Sequence, residues 1–182
     1  MLEMKDLKEF NIPFVGLKEG SHLFEYHIDK KFFEAYQFED FNDANINVKV
    51  NFVKKSTIME LSITASGTIH VPCDITSEMY NQEIEGTLAL VIKFGLEFND
   101  DNEEILILPH EAYQVNIAQY IYELIVLSVP SKRIHPKVID GTMNSEALKR
   151  LKELELKEEK PVEKEKSTDP RWDKLKDLLT DK

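Results

Sequence analysis

Cysteine is nearly missing from this chain of 182 residues, in which Cys73 stands alone. An internal disulfide needs two thiols and a Cys-rich zinc or iron–sulfur site needs several, so neither is expected to hold the fold together. A reducing, cytoplasmic compartment fits that usage. Glycine is sparse too, at six residues, and none of them builds a phosphate-binding loop, a dinucleotide fingerprint or a nucleophile elbow. No stretch approaches the roughly 18 uncharged apolar residues of a membrane helix. Residues 1–10 mix charges where a signal peptide would be apolar. The expectation is a soluble, unexported protein with no membrane partner.

Positive charge is also short. The chain carries 23 Lys and Arg against 34 Asp and Glu, a net charge of -11. Residues 1–145 hold 12 basic and 23 acidic side chains, whereas residues 146–182 hold 11 of each, so all the excess acid lies in the first part. An acidic body repels phosphate backbones, which argues against broad, non-specific nucleic-acid binding. One local exception stands out, the cluster Lys132, Arg133, His135 and Lys137 after a predicted helix. It reads either as a solvated loop or as a set of RNA phosphate contacts.

What the chain does have is alternation. Phe10, Ile12 and Phe14, then Phe24, Tyr26 and Ile28, repeat every second residue on either side of a Gly20-Ser21 turn and predict two strands. Pro13 donates no backbone hydrogen bond, which places the first at a sheet edge or bulge. Asp29 then caps a short helix whose apolar face is Phe32, Phe33 and Tyr36. Ile46, Val48, Val50 and Phe52 followed by Met59, Leu61, Ile63 and Ala65 predict a hairpin with one buried and one wet face. Ser66-Gly67 is expected to break the second strand, with residues 68–73 resuming as another. From Ile84 to Phe98 apolar residues keep even spacing over a length that suggests a bent or bulged strand. Residues 99–104 read as an acidic turn and residues 105–108 as a last short strand. About seven strands joined by short turns imply an α+β fold, with a curled antiparallel sheet, barrel-like or sandwich-like, and packed helices.

The period then changes. Asn116 and Gln119 form a capping-box pair ahead of the stripe Ile117, Tyr120, Ile121, Leu124, Ile125 and Leu127, which stops at Pro130. A second helix over residues 144–159 carries Leu148, Leu151 and Leu154 as a narrow stripe, with Glu153 and Lys157 as an i,i+4 ion pair. Residues 157–168 are nearly all Lys and Glu and read as a flexible spacer. Asp169-Pro170 starts a terminal amphipathic helix with Trp172, Leu175, Leu178 and Leu179 on one face. So short a helix is marginal alone in water, so this face requires a surface: either the domain itself or a partner's groove. The expected organisation is a β-rich domain over 1–143, a charged helix and linker over 144–168, and the terminal helix over 169–182.

Chemistry is thin on the ground. His70 and Cys73 at i, i+3 on a strand point to opposite faces and make a poor chelating pair. Cys73 as a nucleophile lacks a clear base, and an inert buried thiol is the plainer reading. Asp100, Asp101, Glu103 and Glu104 lack the ligand alternation of a calcium loop and read as a solvated turn. No catalytic residue, cofactor or metal is assigned, and the chain is not expected to be an enzyme or to take a small-molecule substrate.

The order of features resembles the YceD family, also called domain of unknown function 177. The residues that carry the resemblance are a strand-rich first half, Pro72-Cys73, the strand ILILP, the helix VNIAQYIYELIVLSVP, the loop SKRIHP and the ending DPRWDKLKDLL. Residues 117–130 look like the family's "I-x-E-x-I-x-L-x-x-P" segment, and the ending looks like its "(D/N)-P-(R/F)-(W/A)-x-x-L". The resemblance implies a bacterial or plastid protein tied to accumulation of 23S rRNA. It suggests a non-enzymatic accessory factor in large-subunit assembly that binds a ribosomal precursor, the 23S rRNA or a ribosomal protein. Many members of that family carry cysteine pairs resembling a zinc site, one pair at the positions of Cys73 and Thr76 and others after the Pro130 helix. Here Thr76 replaces the second cysteine and residues 131–141 contain none, so no metal is carried over and packing must take its place. On this reading Pro170, Trp172, Leu175, Leu178 and Leu179 form an apolar anchor, and Lys132, Arg133, His135 and Lys137 are candidate RNA contacts. The alternative is an acidic adaptor or chaperone for a basic protein client, without RNA contact.

Overall fold

Residues 4–102 and 104–154 are described by the structure, a computed structural model. Two compact units divide the chain, residues 1–143 and residues 144–182. In the first, a kinked 3-10 helix (Met4–Phe10) leads into β1 (Asn11–Pro13) and β2 (Gly20–Asp29). Then come α1 (Lys30–Glu34), β3 (Asp43–Lys54), β4 (Met59–Pro72), β5 (Met79–Gly95), β6 (Asn99–Asn102), β7 (Ile105–Pro109) and β8 (Gln114–Asn116). The helices α2 (Ala118–Leu127) and α3 (Pro136–Ile139) complete it.

A six-stranded sheet in the order β2-β3-β4-β5-β7-β6 forms the frame, and β1 pairs with β8 in a separate two-stranded sheet. The alternation explains why. Along β3, Ala44, Ile46, Val48, Val50 and Phe52 are buried while their neighbours toward the amino end are exposed, and β4 buries Met59, Leu61, Ile63 and Ala65 opposite them. With a side-chain period of two, only a register that matches both apolar sets to one face is stable, and Val50 lies opposite Ile63 accordingly. The sheet is open, with β2 and β6 at its edges, and does not close into a barrel.

Five details of the sheets depart from the sequence reading. Gly20 and Ser21 do not form a turn between two paired strands but begin β2, and β1 pairs with β8 instead. Ser66-Gly67 does not break a strand: β4 runs unbroken through it, and the buried set continues in phase to Ile69 and Val71. Gly67 is there for close approach, since a Cβ on it would collide with the Asn45 carbonyl oxygen and lie 2.7 Å from Ile46 Cα. The long run contains no bulge and begins earlier, because β5 starts at Met79 and keeps one register with β4 from Pro72↔Met79 to Met59↔Ile92. Residues 99–102 are an edge strand, not only a turn, and β7 runs parallel to β5 while antiparallel to β6. The sheet is therefore mixed. The strand after Glu104 enters between β5 and the chain that has just left it, a topology that local alternation does not encode.

The core lies between the sheet and the elements on its apolar face. Asp29 caps α1 as expected, its carboxylate accepting the Lys31 N–H at 3.0 Å. That helix delivers Phe32 and Phe33 into a cluster with Phe38, Phe41 and Tyr122, where Tyr36 stacks on Tyr122 at 4.3 Å. On α2, Ala118, Ile121, Leu124 and Ile125 are buried, whereas Leu127 is 83% exposed and leaves the expected stripe. The capping box is half formed. Asn116 Oδ1 accepts the Ala118 N–H at 3.0 Å, but the Gln119 amide turns away to Glu123. Gly86 lets the end of α2 sit down on β5, since a Cβ there would meet Ser128 Oγ and lie 3.0 Å from Leu124 Cδ1.

The second unit contains α4 (Glu146–Leu154). Ser145 Oγ accepts the Leu148 N–H at 3.3 Å, and Arg150 pairs with Glu146 at 2.7 Å, four residues earlier. The predicted ion pair of Glu153 with Lys157, the spacer over 157–168 and the terminal helix over 169–182 lie outside the described residues.

Candidate functional site

After α2, Ser128 ends the helix by donating its hydroxyl to the Leu124 carbonyl at 2.6 Å, and Pro130 has no N–H with which to continue it. The chain then runs against the turn that joins β4 to β5. That turn is closed by Cys73 N–H to the Glu78 carbonyl (2.9 Å) and Ser77 N–H to the Cys73 carbonyl (2.8 Å). Ser77 adopts φ 58°, a left-handed conformation. Two short hydrogen bonds lock the junction, one between backbones and one from a backbone N–H to a carboxylate. Asp74 N–H donates to the Arg133 carbonyl at 2.8 Å, and Arg133 N–H donates back to Asp74 Oδ2 at 2.7 Å.

The junction splits the basic cluster in two. The Arg133 guanidinium pairs with Asp74 Oδ1 at 3.3 Å, and its side chain is 28% exposed. The His135 N–H donates to Cys73 Sγ at 3.3 Å, its ring packs on Tyr80 at 5.2 Å, and its Nδ1 accepts the Lys137 N–H at 3.0 Å to cap α3. Lys132 and Lys137, by contrast, are exposed. Arg133 and His135 thus serve the structure of the junction, and the two lysines are exposed to solvent. The sequence reading treated this segment as a loop and missed α3, whose signal was Pro136 at its first position after a capping His135.

Cys73 sits at the centre of the junction and is 2% exposed. Burial pushes its thiol up, but the Thr76 hydroxyl and the N–H groups of His135, Thr76 and Ile75 more than offset that, and the net shift is downward from 9.0. The β4–β5 turn and the chain after Pro130 are the two places where the resemblance would put cysteine pairs, and the fold brings them together. The residues present do not suit a tetrahedral thiolate site. Thr76 offers a hydroxyl, Asp74 is engaged by Arg133, and the His135 Nδ1 is taken by a backbone N–H. Hydrogen bonds hold the junction instead. His70 lies on the opposite face, bonded to Asn81 at 2.8 Å, as the spacing predicted.

A second concave feature lies between β5, β6 and the outer flank of α2. It is a groove of about 640 Å³ lined by Leu88, Tyr120, Leu124 and Leu127 together with Asp100, Asp101 and Glu123. Tyr120 is half-buried in it. Its hydroxyl is pushed up to about 12 by burial and by the nearby carboxylates of Asp100 and Glu123. The sequence puts Asp100 and Asp101 in a solvated turn, Leu88 in a long strand and Leu124 and Leu127 on a helix stripe; only the pairing of β6 with β7 brings them to one place.

The expected anchor residues Pro170, Trp172, Leu175, Leu178 and Leu179 lie outside the described residues. Among the described residues, no helix is long and apolar enough to cross a membrane. Compared with known proteins, the chain matches a family model described as "Large ribosomal RNA subunit accumulation protein YceD" over residues 61–179. No curated protein and no solved structure matches it.

Proposed function

Because this chain belongs to the YceD family, we propose that it is a non-enzymatic accessory factor of large ribosomal subunit assembly, acting on a precursor that contains 23S rRNA. The observation that carries this reading is the extent of the family match. It runs from β4 through the junction and onward to residue 179, across the segment holding Pro170, Trp172, Leu175, Leu178 and Leu179. That segment is the apolar anchor for the particle. Lys132 and Lys137 lie exposed beside the junction and supply phosphate contacts, while Arg133 and His135 hold the loop that presents them. The acidic body limits this contact to a small area by repelling phosphates elsewhere. The site of action is the cytoplasm or its plastid equivalent.

The test is sucrose-gradient sedimentation of the endogenous protein at low salt, with and without ribonuclease. Migration with large-subunit precursors, abolished by nuclease, is the expected result. A protein found only at the top of the gradient overturns the reading.

A further inference from the structure

We propose that the groove between α2, β5 and β6 is a docking site for a lysine- and arginine-rich amphipathic helix of another protein. The inference goes beyond the ribosomal reading and does not depend on it. Three observations converge. First, Tyr120, Glu123, Leu124 and Leu127 are spaced i, i+3, i+4 and i+7, so one flank of α2 faces the groove as a continuous stripe. Leu127 at its end is 83% exposed, which costs solvation free energy until something covers it. Second, the opposite wall is β6, an edge strand whose four residues are all exposed and which places Asp100 and Asp101 at the rim. Third, no Lys or Arg is among the described residues that line the groove. Asp100 and Glu123 lie close enough to Tyr120 to add to the rise that burial gives its hydroxyl.

An apolar floor with carboxylates on both sides matches a helix bearing a leucine-like stripe flanked by cations. The same charges reject other occupants. Phosphate backbones are repelled, and a second copy of the chain brings another acidic body, net -11. The chain's own residues 169–182 carry four basic and four acidic side chains, so they offer apolar contact without net charge to match the rim.

The experiment uses the full chain and three labelled synthetic peptides in a fluorescence-anisotropy titration: a Leu/Lys amphipathic helix, a Ser/Lys peptide of equal charge, and a Leu/Glu helix. The Leu/Lys helix should bind at least about tenfold more tightly than the other two, a free-energy gap of about 1.4 kcal/mol. Leu127→Asp and, separately, Asp100→Lys with Asp101→Lys should each weaken it about tenfold. Glu19→Lys with Glu25→Lys, which changes charge at β2, the sheet edge opposite β6, should leave it nearly unchanged. All these positions are exposed, so the variants should keep the parent unfolding midpoint, measured alongside. Equal binding of the Ser/Lys peptide would reduce the effect to long-range charge and overturn the proposal, as would an equal loss in the Glu19/Glu25 variant. A shift of Trp172 emission caused by Leu127→Asp in the peptide-free protein would put the chain's own terminal segment in the groove and overturn it as well.

Discussion

At the scale of single residues, two positions carry more than their side-chain size suggests. Gly67 lies where β4 passes Asn45 and Ile46, and the atoms a Cβ would meet there belong to the backbone of β3, which cannot rotate away. Gly67→Ala should therefore destabilise the protein by about 1–3 kcal/mol, the usual range for overpacking. Denaturant unfolding, with its midpoint shifted and its slope unchanged, would show it. Cys73 gives a prediction with a pH signature. Its folded value is lowered from 9.0, so between that lowered value and about 9 the unfolded state binds more protons and stability rises with pH. The contribution is complete above the unfolded value and disappears as pH falls through the folded one. Thr76→Val removes the side-chain hydrogen bond that lowers the thiol most. The stability gap between parent and variant should widen as pH is raised from neutral toward 9. A gap that stays constant would assign Thr76 a packing role alone.

Among the elements, Phe33 of α1 and Tyr36 just beyond it meet Tyr122 of α2 through their rings, and the raised hydroxyls of Tyr36 and Tyr120 make the fold sensitive to alkali. Tyr36 is pushed up to about 12 by burial, by the Glu123 carboxylate and by Tyr122, and Tyr120 reaches about 12 through burial, Asp100 and Glu123. Both phenols start from 10.0. Below that value they are neutral in folded and unfolded chains alike. Between about 10 and 12 the unfolded chain ionises first, so stability falls as pH rises and the tyrosine contribution is lost at the folded value. Glu123 raises both hydroxyls, so Glu123→Gln should lower the folded values and move alkaline unfolding to higher pH, read from phenolate absorbance together with circular dichroism. The elements also mark what the sequence made legible. Alternation in β3, β4 and β5, the Asp29 cap and the stop at Pro130 follow from local periodicity and turn chemistry. The parallel placement of β7 does not, although Ile105, Leu106, Ile107 and Leu108 form an uninterrupted apolar run of the kind parallel strands show. The three-residue strand β8 has too few residues to display a period. At the candidate site, the cationic residues after α2 were visible, but their division was not. Arg133 finds Asp74 and His135 finds Cys73 only because the β4–β5 turn folds back beneath them.

For the whole molecule, the distribution of charge limits how the proposed contact with a ribosomal precursor can be made. All of the net -11 lies in residues 1–145, so a phosphate-rich partner is repelled by most of the surface and can be met only where cations project. Lys132 and Lys137 project, whereas Arg133 is partly covered and paired with Asp74. A partly exposed pair of that kind contributes roughly 0–1 kcal/mol to stability, which leaves the two hydrogen bonds made by the backbone N–H groups of Asp74 and Arg133 as the stronger part of the junction. Charge and fold therefore separate by mutation. Lys132→Ala with Lys137→Ala should leave the unfolding midpoint unchanged, weaken association with the particle, and reduce its salt dependence by about one counterion for each lysine in contact with phosphate. Asp74→Ala should lower the midpoint, because a backbone donor and a guanidinium lose their acceptor together. Deleting residues 169–182 should leave the β-rich unit folded while abolishing association, since the proposed apolar anchor is removed and the two lysines alone provide too little contact. Gradient sedimentation over a series of salt concentrations reads the lysine pair and the deletion, and denaturant unfolding reads Asp74→Ala. If the deletion leaves association intact while the lysine pair abolishes it, the anchor assignment fails and the junction itself becomes the binding site.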